Sequence, residues 1–102
     1  MNMNQLMQQA QQFQKKMAQM QEELSGRTAS SSVGGGMVQA TVNGRHELVG
    51  LTIEKEAIDP NDPAMLQDLI IAAVNDAMKK AEAMIQAEMG KLTGGMKIPG
   101  LF

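Results

Sequence analysis

Residues 37–53 read MVQATVNGRHELVGLTI. Val38, Ala40 and Val42 alternate with Gln39 and Thr41, the period-two pattern of a half-buried strand. Asn43-Gly44 then interrupts the run. This dipeptide is the strongest short hairpin signal, because a type I′ turn needs positive φ at both central positions. A two-residue turn there pairs Val42 with Arg45, Ala40 with Glu47 and Val38 with Val49. Val38, Ala40 and Val42 then share a face with Val49, Leu51 and Ile53. The opposite face carries Met37, Gln39, Thr41, His46, Leu48 and Thr52. Such a mixed face suits either a half-exposed sheet or a subunit interface.

Upstream of the hairpin, Thr28 to Val33 is small and β-tolerant and reads as a weak first strand, with Gly34-Gly35-Gly36 as the turn after it. A flexible linker has the same composition. Further upstream, Met3, Leu6, Ala10, Phe13, Met17, Met20 and Leu24 recur at alternating spacings of three and four. That is an unbroken heptad seam, predicting a helix from Asn2 or Asn4 to Leu24 or Ser25, about 33 Å long. The rest of its surface is mostly Gln. A helix apolar along one line needs a partner helix, from its own chain or a second copy.

Downstream, Glu54 to Asn61 reads as a loop. Asp62-Pro63 opens a second helix, with Asp62 as N-cap and Pro63 in the first helical position. Gly94-Gly95 ends it. Its apolar arc covers about half the circumference, wider than one partner needs. The N-terminal half is expected on the sheet, and the C-terminal half against the first helix or a second subunit. The expected fold is one α+β domain over 1–102. It has a helix over 1–25, an antiparallel three-stranded sheet over 27–54, a helix over 62–93 and a tail over 94–102. The layers are two, and the form is dimeric with projecting helices.

Composition narrows the function. The chain has 102 residues, a net charge of −2, no Cys, and 11 Met against two aromatics, Phe13 and Phe102. Disulfides and thiolate metal sites are excluded. No apolar run approaches a membrane span, and the N-terminus lacks the pattern of a secretory signal, so the expected location is the cytoplasm. No catalytic set is assembled. His46 is the single histidine, and the carboxylates Glu54, Glu56, Asp59 and Asp62 lack the spacing of a calcium loop. No metal, cofactor or small-molecule substrate is expected.

Basic residues remain: Lys15, Lys16, Arg27, Arg45, Lys79, Lys80 and Lys91. Taken singly, each pair is a solubilising helix face. In a dimer each pair occurs twice, and projecting helices can straddle an anionic rod. Sparse lysines contact phosphates without reading bases. Arg27 and Arg45 are the only arginines, which limits bidentate guanine recognition. The scarcity of aromatics argues against stacking single-stranded bases. The net charge of −2 counts against a strongly nucleic-acid-binding surface, though local clustering matters more than the sum; if the chain binds nucleic acid, duplex DNA with weak sequence preference is the expectation. For a homodimer interface the candidates are Leu6, Phe13, Met17, Met20, Met37 and Leu48. An adaptor using the Met-rich helical surface for protein contacts is the alternative.

The order of motifs resembles the YbaB/EbfC family over essentially the whole chain. The resemblance rests on Asn4-Gln5-Leu6-Met7, Gly34-Gly35-Gly36-Met37-Val38, Val42-Asn43-Gly44 and Asp59-Pro60. It continues in Asp68-Leu69-Ile70-Ile71-Ala72-Ala73-Val74-Asn75-Asp76-Ala77, Met89-Gly90-Lys91-Leu92-Thr93-Gly94-Gly95 and Pro99-Gly100-Leu101-Phe102. It implies a bacterial nucleoid-associated homodimer whose paired long helices project like tweezers. It also implies DNA binding that alters DNA shape, with roles in nucleoid organisation and gene regulation.

Overall fold

A computed structural model describes residues 2–92. The elements are α1 (Met3–Ser25), β1 (Thr28–Val33), β2 (Val38–Asn43), β3 (Leu48–Ile53) and α2 (Pro63–Leu92), with a 3₁₀ turn at Lys55–Ala57. The α+β class, the element order and the antiparallel sheet β1-β2-β3 agree with the sequence reading. The tail over 94–102 lies outside the described residues.

Both helices start where side chains satisfy orphan backbone donors. The Gln5 amide donates to Asn2 Oδ1 at 2.9 Å, which selects Asn2 over Asn4 as the cap. The Met65 amide donates to Asp62 Oδ1 at 3.2 Å, and Pro63 takes the first helical position. Between β1 and β2 the chain reverses through Gly34, Gly35 and Gly36, all with positive φ. Three successive left-handed residues are accessible only to glycine at low cost. The Ser/Gly stretch is therefore strand and turn, not linker.

The core is built from small side chains. Val38, Ala40 and Val42 of β2 meet Ala73, Ala77 and Ala81 of α2, all fully buried together with Ala57. Alanines four apart form a smooth strip that lets the helix lie close on the sheet. Leu66, Leu69, Ile70, Val74 and Met78 pack around this strip. α2 covers β1 and β2. Beyond the sheet its C-terminal half meets the end of α1, as expected. The result is elongated, 70 × 22 × 17 Å.

The hairpin corrects the sequence reading. Val38 pairs with Ile53, Ala40 with Leu51 and Thr41 with Gly50, while Val42 faces Leu48 and Val49 bulges. The loop is longer than two residues: the Asn43 amide donates to the Glu47 carbonyl, and the His46 amide to the Asn43 carbonyl. His46, at φ 61, supplies the left-handed residue. Asn43 Oδ1 accepts from the amides of Arg45 and Glu47 and stiffens the loop. Leu51 and Ile53 still pair with β2's buried positions because the register moved by an even number of residues.

Ser31 is a polar residue inside the helix–sheet contact. It is 3% exposed, and its Oγ donates to Asp76 Oδ2 on α2. Lys80 lies 3.7 Å from the same carboxylate. The Ser31 hydrogen bond, followed by the attraction of Lys80 and Lys79, holds the Asp76 carboxyl below its ordinary pKa, against some desolvation. A depressed carboxylate pKa stabilises the fold above the unfolded-state value of about 4, and that contribution disappears as pH falls through the folded value. Melting temperature is expected to fall below pH 4, and to fall less steeply in Asp76→Asn. Parallel pH–melting curves for the two proteins would reject this role for Asp76.

Candidate nucleic-acid interface

The heptad seam of α1 is only partly used within the chain. Met20 and Leu24 are buried and Met17 is half-buried. Toward the N-terminus the seam is open: Met3 is 76% exposed, Leu6 51% and Phe13 44%. α1 is thus anchored at its C-terminal end, and the rest projects.

The anchor is a close backbone crossing. The Gly44 amide donates to the carbonyls of Leu24 and Arg27, both at 3.1 Å. A Cβ on Gly44 would stand 2.1 Å from the Leu24 carbonyl oxygen. Gly44 does not have positive φ. It is glycine because α1 ends against it, not because of the turn type the Asn-Gly pair suggested. Arg27, just past the helix, forms an ion pair with Glu88 of α2, and Lys91 reaches the same oxygen at 3.2 Å. Hydrogen bonds from Arg27 and then Lys91 hold the Glu88 carboxyl below the ordinary glutamate value.

These pairings sort the basic residues. Arg27 and Lys91 share Glu88, and Lys80 faces Asp76. Lys15, Lys16, Arg45 and Lys79 are exposed and, among the described residues, in no ion pair. Lys15 and Lys16 stand out further. No Asp or Glu precedes Glu22, so they are the only charged side chains on the projecting part of α1. A protein of net charge −2 thus carries a locally cationic arm, which matters more for an anionic partner than the total. Gln8, Gln11, Gln12 and Lys15 line a shallow groove on the arm's face away from the seam. The amides add donors beside the ammonium. Sequence reading noted Lys15-Lys16 but not the missing carboxylates around them, although that absence is legible.

Of the interface candidates, Leu6, Phe13 and Leu48 are exposed, Met17 and Met37 are half-buried, and Met20 is buried within its own chain. A cleft of about 530 Å³ lies between α1, the hairpin loop and α2, with Met17, Met20, Ile85 and Met89 among its lining. Among the described residues no His, Asp and Glu cluster has the makings of a metal site, and no helix is long and apolar enough to cross a membrane.

The model of the YbaB/EbfC DNA-binding family matches residues 1–96. The chain belongs to this family. A nucleoid-associated protein of Pelotomaculum thermopropionicum is 55% identical over 101 residues, covering 99% of this chain and 96% of the relative. One from Clostridium acetobutylicum is 53% identical over 100 residues, covering 98% and 89%. The crystal structure of an uncharacterized Helicobacter pylori protein, HP0035, superposes with a TM-score of 0.82 at 29% identity, covering 92% of this chain and 99% of that one. The YbaB/EbfC membership agrees with the resemblance carried by the Gly-rich turn and the Asp68–Ala77 segment noted above. It assigns this protein a DNA-binding role in the nucleoid, and it makes the acid-free arm of α1 the feature to explain.

Proposed function

We propose that this single-domain YbaB/EbfC protein binds duplex DNA as a homodimer, through phosphate contacts from the projecting α1 arms. The observation that carries this reading is the arm itself: exposed, free of carboxylates, and bearing Lys15 and Lys16 in no ion pair among the described residues. Two copies double every cation, and two arms can hold a duplex between them. Lysines and glutamine amides on phosphates position a protein without reading sequence, so preference among sequences is weak. Arg45 and Lys79 are secondary contacts, and Arg27, Lys80 and Lys91 are held mainly by acids of their own chain. Clamping by two rigid arms favours DNA shapes that fit between them, which links binding to DNA conformation, nucleoid organisation and gene expression.

Anisotropy of a fluorescent duplex across a salt series, with the mass followed by light scattering, tests this. Affinity is expected to fall steeply, with log K against log salt losing about 0.9 per phosphate contact, and the mass to correspond to two chains. A dimer without DNA binding at low salt favours the adaptor reading, for which the exposed Met3, Leu6, Met7 and Phe13 are the supporting observation.

A further inference from the structure

The open part of the α1 seam lies ahead of the point where α2 ends. α2 crosses the sheet toward the root of α1: its Asp76 meets Ser31, and its Glu88 meets Arg27. Beyond the sheet, Ile85 and Met89 share one cleft with Met17, Met20 and Leu24. The two helices pass one another in opposite directions. α2 has 30 residues and is about 45 Å long. The molecule is 70 Å long, so about 25 Å of that length belongs to the part of α1 that projects past α2. Parallel helices would lay α1 back over the sheet and give a shorter particle.

Met17 is therefore the last seam residue, counting toward the tip, that shares the cleft with α2. Phe13, Ala10, Leu6 and Met3 follow it, and among the described residues nothing buries them. The axis of α2, prolonged beyond Leu92, runs alongside this stretch.

We propose that residues 93–102 of the same chain occupy the open seam, with Met96, Ile98, Leu101 and Phe102 as the side chains that cover it. Reach is sufficient. From Phe13 to Met3 the seam is about 15 Å long, and ten extended residues span up to about 33 Å. Chemistry matches as well. The segment reads TGGMKIPGLF, with four large apolar side chains to set against a strip of Phe, Ala, Leu and Met. Methionine on both sides adapts to an irregular surface. Charge is compatible: no charged side chain precedes Lys15, and no acid follows Glu88. The segment thus covers the seam without neutralising Lys15 and Lys16, and Lys97 keeps its ammonium in water and adds a cation to the arm. Gly94-Gly95 supplies the freedom to leave the helix axis for the seam. Attachment at the end of α2 makes the contact intramolecular, an advantage in effective concentration that no separate partner has. The contact depends on neither the dimer nor the DNA reading.

Phe13 and Phe102 are the only aromatic residues, which gives a clean test by NMR, with Phe102→Leu assigning the two rings. In the unaltered protein the Phe13 ring is expected to show NOEs to methyl groups of Met96, Ile98 or Leu101. A mixture of labelled and unlabelled chains is expected to show none of them between chains. Peroxide footprinting by mass spectrometry is the second readout. Met3 is expected to oxidise several-fold more slowly in the unaltered protein than in a variant combining Ile98→Asp, Leu101→Asp and Phe102→Asp. Half-buried Met65, near the start of α2, should keep its rate. Missing Phe13 contacts, with Met3 oxidising equally fast in both proteins, overturn the proposal. Contacts seen only between chains overturn it too, in favour of exchange of the segment with a second copy. Equal protection of Met3 in both proteins also overturns it and assigns the seam to another occupant.

Discussion

Gly44→Ala is expected to lower stability by about 2–4 kcal/mol, the combined effect of overpacking and of disturbing two backbone hydrogen bonds. The added methyl has nowhere to go. It would sit 2.1 Å from the Leu24 carbonyl oxygen and 2.6 Å from the carbonyl carbon, both backbone atoms that cannot rotate aside. Relief requires the end of α1 to move away from the hairpin, which breaks the bonds from the Gly44 amide to Leu24 and Arg27 and opens buried Leu24. For a domain near 100 residues, the melting temperature should drop by roughly 10–20 °C. Gly26→Ala is the control. A Cβ there meets only the Glu23 carbonyl oxygen at 3.7 Å, an ordinary contact, and the change should stay within about 1 kcal/mol. Equal melting curves for the two variants, by circular dichroism, would mean that α1 is not anchored at Gly44.

The second large effect concerns DNA. Replacing Lys15 and Lys16 together by Ala removes the arm's only positive side chains. In a dimer with all four lysines on phosphates, the salt slope should become shallower by roughly 2–4, and affinity near 0.1 M salt should fall on the order of 100-fold or more. The loss should be uniform across duplex sequences, since phosphate contacts carry no sequence information. Lys80→Ala is the comparison, because Lys80 lies beside Asp76. It should change affinity far less. Equal losses from the two substitutions, measured by anisotropy at several salt concentrations, would place DNA along α2 as much as α1.

Both predictions show where sequence reading succeeds and where it stops. The helices were legible because their signals are local: Asn2 and Asp62 cap within one turn, and the heptad and alanine patterns lie along single elements. The hairpin was legible as a hairpin but not in its register. Asn43-Gly44 reports a turn through its backbone preferences, whereas the reason for Gly44 is a helix end arriving from residues 24–27. No local window contains that crossing. The same holds for Ser31 with Asp76, 45 positions apart, and for Arg27 with Glu88, 61 apart. Arg27 counted as an available cation until the fold brought an acid to it. The pairs Asp76–Lys80 and Glu88–Lys91 are different. Their spacings of four and three are readable on any helix, and they already mark two of the candidate lysines as partly neutralised.

The anchoring of α1 at one end also has a mechanical consequence. A helix of 23 residues is a lever about 34 Å long. Rotating it by only about 10° at Gly26 sweeps the free tip through about 6 Å, which is the difference in width between the minor and major grooves of B-form DNA. Small rotations at the root, where Gly44, Leu24 and the Arg27–Glu88 pair meet, would therefore be amplified at the tip into displacements on the scale of a duplex groove. In the arm-clamp reading proposed above, the stiffness of that root, more than the lysines at mid-arm, would set how narrow a range of DNA shapes the protein accepts.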